Sequence, residues 1–557
     1  MHLRILAAAS CLAASSLPAL CMTAVCLGQL PPPPIPAGNP LTPEKVMLGK
    51  ILFWEEQLSS DDTTACGTCH QPAFGGSDPR VAQALHPGPD GLYATDDDIQ
   101  GSLGISRQSA NGRFATAPTF GFHRQVTGRT APTHMGAAYH IDLFWDNRAH
   151  TEFVDPETGQ TVLYFDGALE SQAVAPILSP VEMGREGRTW NDVRQKLQGV
   201  EPLALARNLP GDVHAALQQN PGYPQLFTAA FGDPAITARR IAFALASYQR
   251  TQIPDDTPWD RFMTGDDSAM TTAEQDGWLV FQSSGRCIAC HWAPLFSDDL
   301  PHVLGLRPQV EDLGVGAISG VDFDNGAFKT PTLRNAGLRP RLFHNGQSPP
   351  LGDPGQLTDP NSVLNVYMQG HGADQHDVDP FMVNLGQLGV TVAEVQLALE
   401  FVRTALTDER AALRLPPFDH PDLRSMVAPV PRTFGQGLAG AIEPFVIDTS
   451  PSYPGNDEWK LGLVAGGGST LGFLGIGMSS LEPHVPVLGI PLNVLVIGGR
   501  WFWMPGGGGV PGHATWNVPL PNDPSLTLQP FYTQLFAYDP QAPFGIAASR
   551  GTEITIW

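Results

Sequence analysis

Basic side chains are few in this chain of 557 residues: 32 Lys and Arg stand against 55 Asp and Glu, a formal net charge of −23. That balance argues against nucleic acid and against an anionic membrane surface as partners, and favours a neutral or basic one. Cysteine is scarcer still. Of seven, Cys11, Cys21 and Cys26 lie near the start, and only four follow. Long apolar runs are missing after Leu27, so no later segment reads as a membrane span. Glycine (59) and proline (53) are plentiful, which points to long ordered loops rather than a helical bundle throughout. The length suggests about three or four domains.

The first residues carry His2 and Arg4, an apolar run from Ile5 to Leu27, then Gly28-Gln29 and the prolines Pro31 to Pro34. This reads as a secretory signal over 1–28, with an uncleaved anchor as the alternative. Leu20 before Cys21 argues against lipid modification there. The expected location is the periplasm, or the cell surface or medium.

The four later cysteines form Cys66-Gly67-Thr68-Cys69-His70 and Cys287-Ile288-Ala289-Cys290-His291. C-x-x-C-H is the attachment site of a c-type haem: two thiols one turn apart bond the vinyl groups, and the histidine becomes the proximal iron ligand. One such string could be a zinc or redox pair. Two, each ending in histidine, point to two covalently bound haems with His70 and His291 on the irons.

Thr42-Pro43-Glu44 opens a helix with an N-cap and a first-position proline, and Met47, Leu48, Ile51, Leu52 and Leu58 fall on its apolar face. It ends in Gly49-Lys50-Ile51-Leu52-Phe53 before the first motif, and Gly277-Trp278-Leu279-Val280-Phe281 precedes the second: an internal repeat. Ile236–Tyr248 reads as a helix, and Thr391-Val392-Ala393-Glu394 is a capping box opening another through Leu406. Residues 75–130 read as loop. Their acidic patch at Asp90 and Asp96-Asp97-Asp98 matches no EF-hand and reads as a solvated turn rather than a calcium cage. After about residue 425, glycine clusters and β-branched runs (Val494–Ile497, Glu553–Trp557) suggest strands. The expected fold is mainly α: two cytochrome c-like all-α haem domains over 29–255 and 256–425, then a C-terminal all-β sandwich-like module over 430–557.

Further strings carry a resemblance. Ala131-Pro132-Thr133, Leu143-Phe144-Trp145-Asp146-Asn147-Arg148-Ala149, Leu169-Glu170-Ser171-Gln172-Ala173 and Pro180-Val181-Glu182-Met183 resemble the bacterial dihaem cytochrome c peroxidases and their MauG branch. So do Phe328-Lys329-Thr330-Pro331-Thr332-Leu333-Arg334-Asn335 and Phe343-His344-Asn345-Gly346. The similarity runs from about 40 to 410 and leaves the β-module outside. It implies that hydrogen peroxide is reduced at the His70 haem, with Glu182 as distal acid-base group and Gln172 in the same pocket. Trp145 would relay electrons, and His344 is a family position near the second haem. The sixth ligand opposite His291 is a methionine in some members and a tyrosine in the MauG branch. Here Tyr367 aligns with it and Met368 is one residue on. Neighbours on a helix point about 100° apart, so only one can face the iron, and Tyr367 is favoured.

Two departures weaken the match. The family's inter-haem calcium uses an asparagine and a threonine, where this chain has Thr130 and Arg339, which puts calcium in doubt. The histidine that blocks the peroxidatic iron in some members has His86, His123, His134 and His140 as candidates here, and none is selected. An insertion, His150–Gly167, either shapes the pocket mouth or is a simple hairpin. The expected partners are peroxide and either a small redox protein (a c-type cytochrome or cupredoxin) or an oxidisable partner protein. The rival readings are a MauG-like enzyme that oxidises that partner, a non-catalytic electron carrier, and a surface-binding protein whose β-module is the working part.

Overall fold

The computed structural model describes residues 29–81 and 84–557; the expected signal at 1–28 lies outside the described residues. Helix Pro43–Phe53 begins as the sequence dictates, with the Thr42 hydroxyl accepting from the Lys45 amide and Pro43 at the first position. It crosses helix Ala238–Gln249 at Gly49, where a Cβ would stand 1.9 Å from the Ala244 carbonyl oxygen. Only glycine permits that approach. The second motif repeats the device: helix Thr272–Gln282 crosses Val392–Glu400 at Gly277, where a Cβ would meet the Leu397 carbonyl oxygen at 2.2 Å. The sequence repeat is therefore a packing repeat.

Each crossing anchors its own core. Leu48, Ile51, Leu52 and Tyr248 belong to the first, and Trp259, Trp278, Phe281 and Phe401 to the second. Full burial of such side chains is worth roughly 1.5–3 kcal/mol each. Leu58 is buried, but it sits in a 3-10 turn, Glu56–Leu58, beyond the end of the first helix rather than on its face. The helix expected to reach Leu406 passes at Phe401–Ala405 into a π-turn.

The stretch read as loop carries a short ladder, Leu103–Ser106 with Arg124–Val126. Its acidic patch is occupied in capping its own turn: Asp97 accepts from the Asp90 amide and Asp98 from the Ala94 amide. The insertion forms a hairpin, Phe153–Val154 with Thr161–Leu163, that buries Phe153 and Leu163 in the first core.

A second repeat joins the halves. The Thr130 amide donates to the His344 carbonyl at 2.7 Å, and the Lys329 amide donates to the Trp145 carbonyl at 2.9 Å. Leu143 bridges to Ala149 as Leu342 does to Ser348, and Phe144 and Phe343 share positive φ values of 68° and 67°. The loops around Trp145 and His344 thus embrace reciprocally.

The C-terminal region is β-rich, as expected. One antiparallel sheet runs 490–504, 470–487, 530–538, 551–555, 432–434, with 546–548 added on 530–538. A smaller sheet holds 445–447, 460–465 and 512–517. Leu461 and Leu463 from the smaller sheet share a core with Leu474, Met504 and Leu535 from the larger. Among the described residues, no helix is long and apolar enough to cross a membrane.

Candidate active site

Cys66–Cys69 form one helical turn, with the Ala65 amide donating to the Thr68 hydroxyl. Gly67 lets this turn lie on Trp54, whose ring atoms would be 2.3 Å from a Cβ. Trp54 is itself fixed by stacking on His420 at 3.9 Å and by donating to the Tyr248 hydroxyl. The second motif is a 3-10 turn over Cys287–Ala289. His70 Nδ1 donates to the Gly76 carbonyl at 3.2 Å and His291 Nδ1 to the Phe296 carbonyl at 2.9 Å. Both rings are thereby oriented with Nε2 left to bind a metal.

All four thiols are free. Burial pushes Cys66 and Cys287 up to about 12 and raises Cys69 as well. Cys66, Cys69 and Cys287 are thus unlike the low-pKa thiolates of exchange-active pairs. Both motifs open into one cavity of about 860 Å³, walled by Phe53, Ala173 and Leu245 near the first and by Phe281, Leu399 and Val402 near the second. Paired thiols, a pre-oriented imidazole and an apolar wall at each end fit a haem at each motif.

Glu182 and Gln172 both line this cavity. The Glu182 amide donates to the Ser179 hydroxyl and carbonyl, which fixes the turn. Burial lifts its carboxyl above the usual range; the Ser179 side chain and Arg148 act in the opposite direction. Gln172 stands on helix Ala168–Leu178, which the buried Glu170–Arg250 pair locks with bonds of 2.8 and 2.9 Å. Trp145 is 8% exposed, donates from Nε1 to the Thr130 carbonyl at 2.9 Å, and lies edge-on to His344 at 6.3 Å. His344 stacks on Phe328 at 3.5 Å, and burial drives its pKa down to about 3.

On helix Val363–Gln369, the half-buried Tyr367 lines the same cavity as Cys287 and Cys290, and burial, then the charge of those two thiols, raises the pKa of its phenol. The methyl end of Met368 lies against Gly386. Met382, which sequence reasoning missed, also lines the cavity, as does Met183. Of the loop histidines, His86, His134 and His140 line the cavity, whereas His123 stacks on Phe445 of the β-rich region.

Other residues had no local signal. His302 donates through Nδ1 to Asp379 at 2.6 Å and through Nε2 to Asp298 at 2.9 Å, so it is an imidazolium. Asp298, then Cys290, holds its pKa up to about 11. Cys290, Asp298 and His302 would suit a separate metal only if Cys290 were not part of the C-x-x-C-H string. Buried Arg339 donates to the Ala131 carbonyl at 2.8 Å and the Gly75 carbonyl at 3.5 Å. A fixed guanidinium among these carbonyls does not fit a calcium ion at the same place.

Residues 43–268 match the family model described as di-haem cytochrome c peroxidase. The methylamine utilization protein MauG of Methylophilus methylotrophus is 32% identical over 317 residues, covering 56% of this chain and 71% of that protein. Cytochrome c551 peroxidase of Nitrosomonas europaea is 25% identical, covering 56% and 72%. A solved MauG-like protein associated with microbial copper homeostasis has a TM-score of 0.49 at 22% identity, covering 70% of this chain and 97% of that one. With its two C-x-x-C-H motifs facing one cavity, the chain belongs to the di-haem cytochrome c peroxidase family, which includes MauG.

Proposed function

We propose that this protein is an exported dihaem peroxidase that reduces hydrogen peroxide to water at the His70 end of the cavity. The observation that carries this reading is the single cavity shared by both motifs, with Glu182 and Gln172 on its wall. Cys66 and Cys69 would tether one haem and Cys287 and Cys290 the other, with His70 and His291 as proximal ligands. When bound, the haems supply iron to hold peroxide at one end and to take up electrons at the other.

The chain's own residues then manage protons and position. Reduction of one peroxide consumes two electrons and two protons and yields two water molecules. Glu182, whose carboxyl burial makes a stronger base than an exposed one, takes the proton from one peroxide oxygen and returns it to the other as the O–O bond breaks. Gln172 orients the peroxide by hydrogen bonding. Trp145, clamped by Thr130, provides an oxidisable ring on the path from the His291 end. The electrons come from a c-type cytochrome or cupredoxin. The test is rapid mixing of the ferric holoprotein with peroxide. Fast consumption that Glu182→Gln abolishes supports the reading; an inert protein refutes it in favour of an electron carrier.

Tyr367 favours a second reading, in which peroxide is used to oxidise a partner protein. An anionic oxygen ligand stabilises ferric iron and lowers the potential, whereas a thioether raises it. The fate of the oxidising equivalents separates the two: steady peroxide turnover with a reduced cytochrome c or cupredoxin supports the first reading, and covalent oxidation of a partner protein supports this one.

A further inference from the structure

We propose that the C-terminal β-module braces the wall of the peroxide pocket, with Lys460 as a positioning residue. The proposal rests on the assignment of Glu182 above.

One side of the 101–128 segment is built into the turn that carries Glu182. The Ile105 amide donates to the Val181 carbonyl at 3.1 Å, and Gln125 Nε2 donates to the Pro180 carbonyl at 2.7 Å. At Gly104 a Cβ would stand 1.8 Å from the Val181 carbonyl oxygen, so the two backbones touch. The Glu186 amide, four residues past Glu182, donates to the Gln108 carbonyl.

The other side is built into the module. Lys460, on strand Lys460–Ala465, is 8% exposed, and its ammonium donates to Gln108 Oε1 at 3.0 Å and to the Gly112 carbonyl at 2.8 Å. A buried cation whose hydrogen bonds both end on one loop ties the position of that loop to the sheet. The Phe114 amide donates to the Thr515 hydroxyl at 3.0 Å. Phe114 and Phe122 share a closed apolar cluster with Ile447 and Val464 of the module. Gly462 is required beneath Phe114, whose ring would lie 2.8 Å from a Cβ there. Gln108 therefore links the two: its side chain takes the module's cation while its carbonyl holds the segment after Glu182.

A brace of this kind keeps the Glu182 turn and the pocket wall in one arrangement before peroxide arrives. The test uses the full-length holoprotein and Lys460→Met, with Thr515→Val as a milder cut should the first fail to fold. Three quantities are read: amide hydrogen exchange over 103–126, the ferric EPR signals of both haems, and the kcat and KM for peroxide. The expected result is exchange over 103–126 faster by about tenfold or more. Protection of strand 470–487 and the His291 haem signal stay unchanged, while the His70 haem signal alters and kcat falls severalfold. Unchanged exchange over 103–126 overturns the proposal, and so does a loosened loop with unaltered kcat and EPR. If Glu182→Gln leaves the peroxide reaction intact, the assignment of Glu182 has failed instead, whatever the exchange data show.

Discussion

Glu182 is a carboxyl that burial holds above its ordinary range on a wall shared with the His70 motif. As a base it must be ionised before peroxide binds, so the rate should fall as pH drops through its raised pKa and level off above it. Glu182→Gln should cost about 10²-fold or more in peroxide consumption, leave haem content unchanged and remove that acid limb. Stopped-flow rates across pH check both. At the other motif, Met368→Leu should leave the low-spin EPR signal untouched, because the Met368 methyl end lies on Gly386. Tyr367→Met should raise the reduction potential of that haem, read by spectroelectrochemistry. These two residues show where the sequence ran out: the helical repeat says that only one faces the iron, but which one depends on Cys287, Cys290 and Gly386, all distant in sequence. His302 was hidden in part for the same reason: Asp298 stands four residues before it, but Asp379 meets it only in the folded chain.

At the scale of elements, the two helix crossings are the frame on which the motifs hang. Gly49→Ala would drive a methyl group to 1.9 Å from the Ala244 carbonyl oxygen, and Gly277→Ala one to 2.2 Å from that of Leu397. Backbone atoms cannot yield as side-chain ends do. Each change should cost about 3 kcal/mol or more and lower the melting temperature or the yield of holoprotein. The glycine-to-phenylalanine repeat before each motif was legible because it is local and ordered. The reciprocal bonding of the Trp145 and His344 loops was not, although Ala131-Pro132-Thr133 and Thr330-Pro331-Thr332 both stand in the sequence. Their partners lie in opposite halves, so no periodicity marks them. Glu182 and Gln172 were reachable only through family resemblance, because a lone acid and a lone amide carry no pattern.

Across the whole molecule, the halves meet at a fixed cation rather than a site open to a metal. Arg339 donates to carbonyls from the first half while standing in the second. Dialysis against a chelator should therefore leave both haem signals and the peroxide rate unchanged, whereas Arg339→Ala should cost about 1–3 kcal/mol through unpaired buried carbonyls. Denaturant melts with and without chelator check the pair. The β-rich character of the C-terminal region was readable from glycine clusters and β-branched runs. Its grip on the loop beside Glu182 was not, because Lys460 and Gln108 are far apart in sequence and neither belongs to a motif. The peroxidase proposed above keeps one haem open to peroxide and has Tyr367 as ligand of the other. The most direct measurement is low-temperature EPR of the as-isolated ferric protein before and after one equivalent of hydrogen peroxide. The expected result is one high-spin and one low-spin signal, both consumed within the mixing time without added reductant. Two low-spin signals that persist until the protein is half-reduced would contradict it.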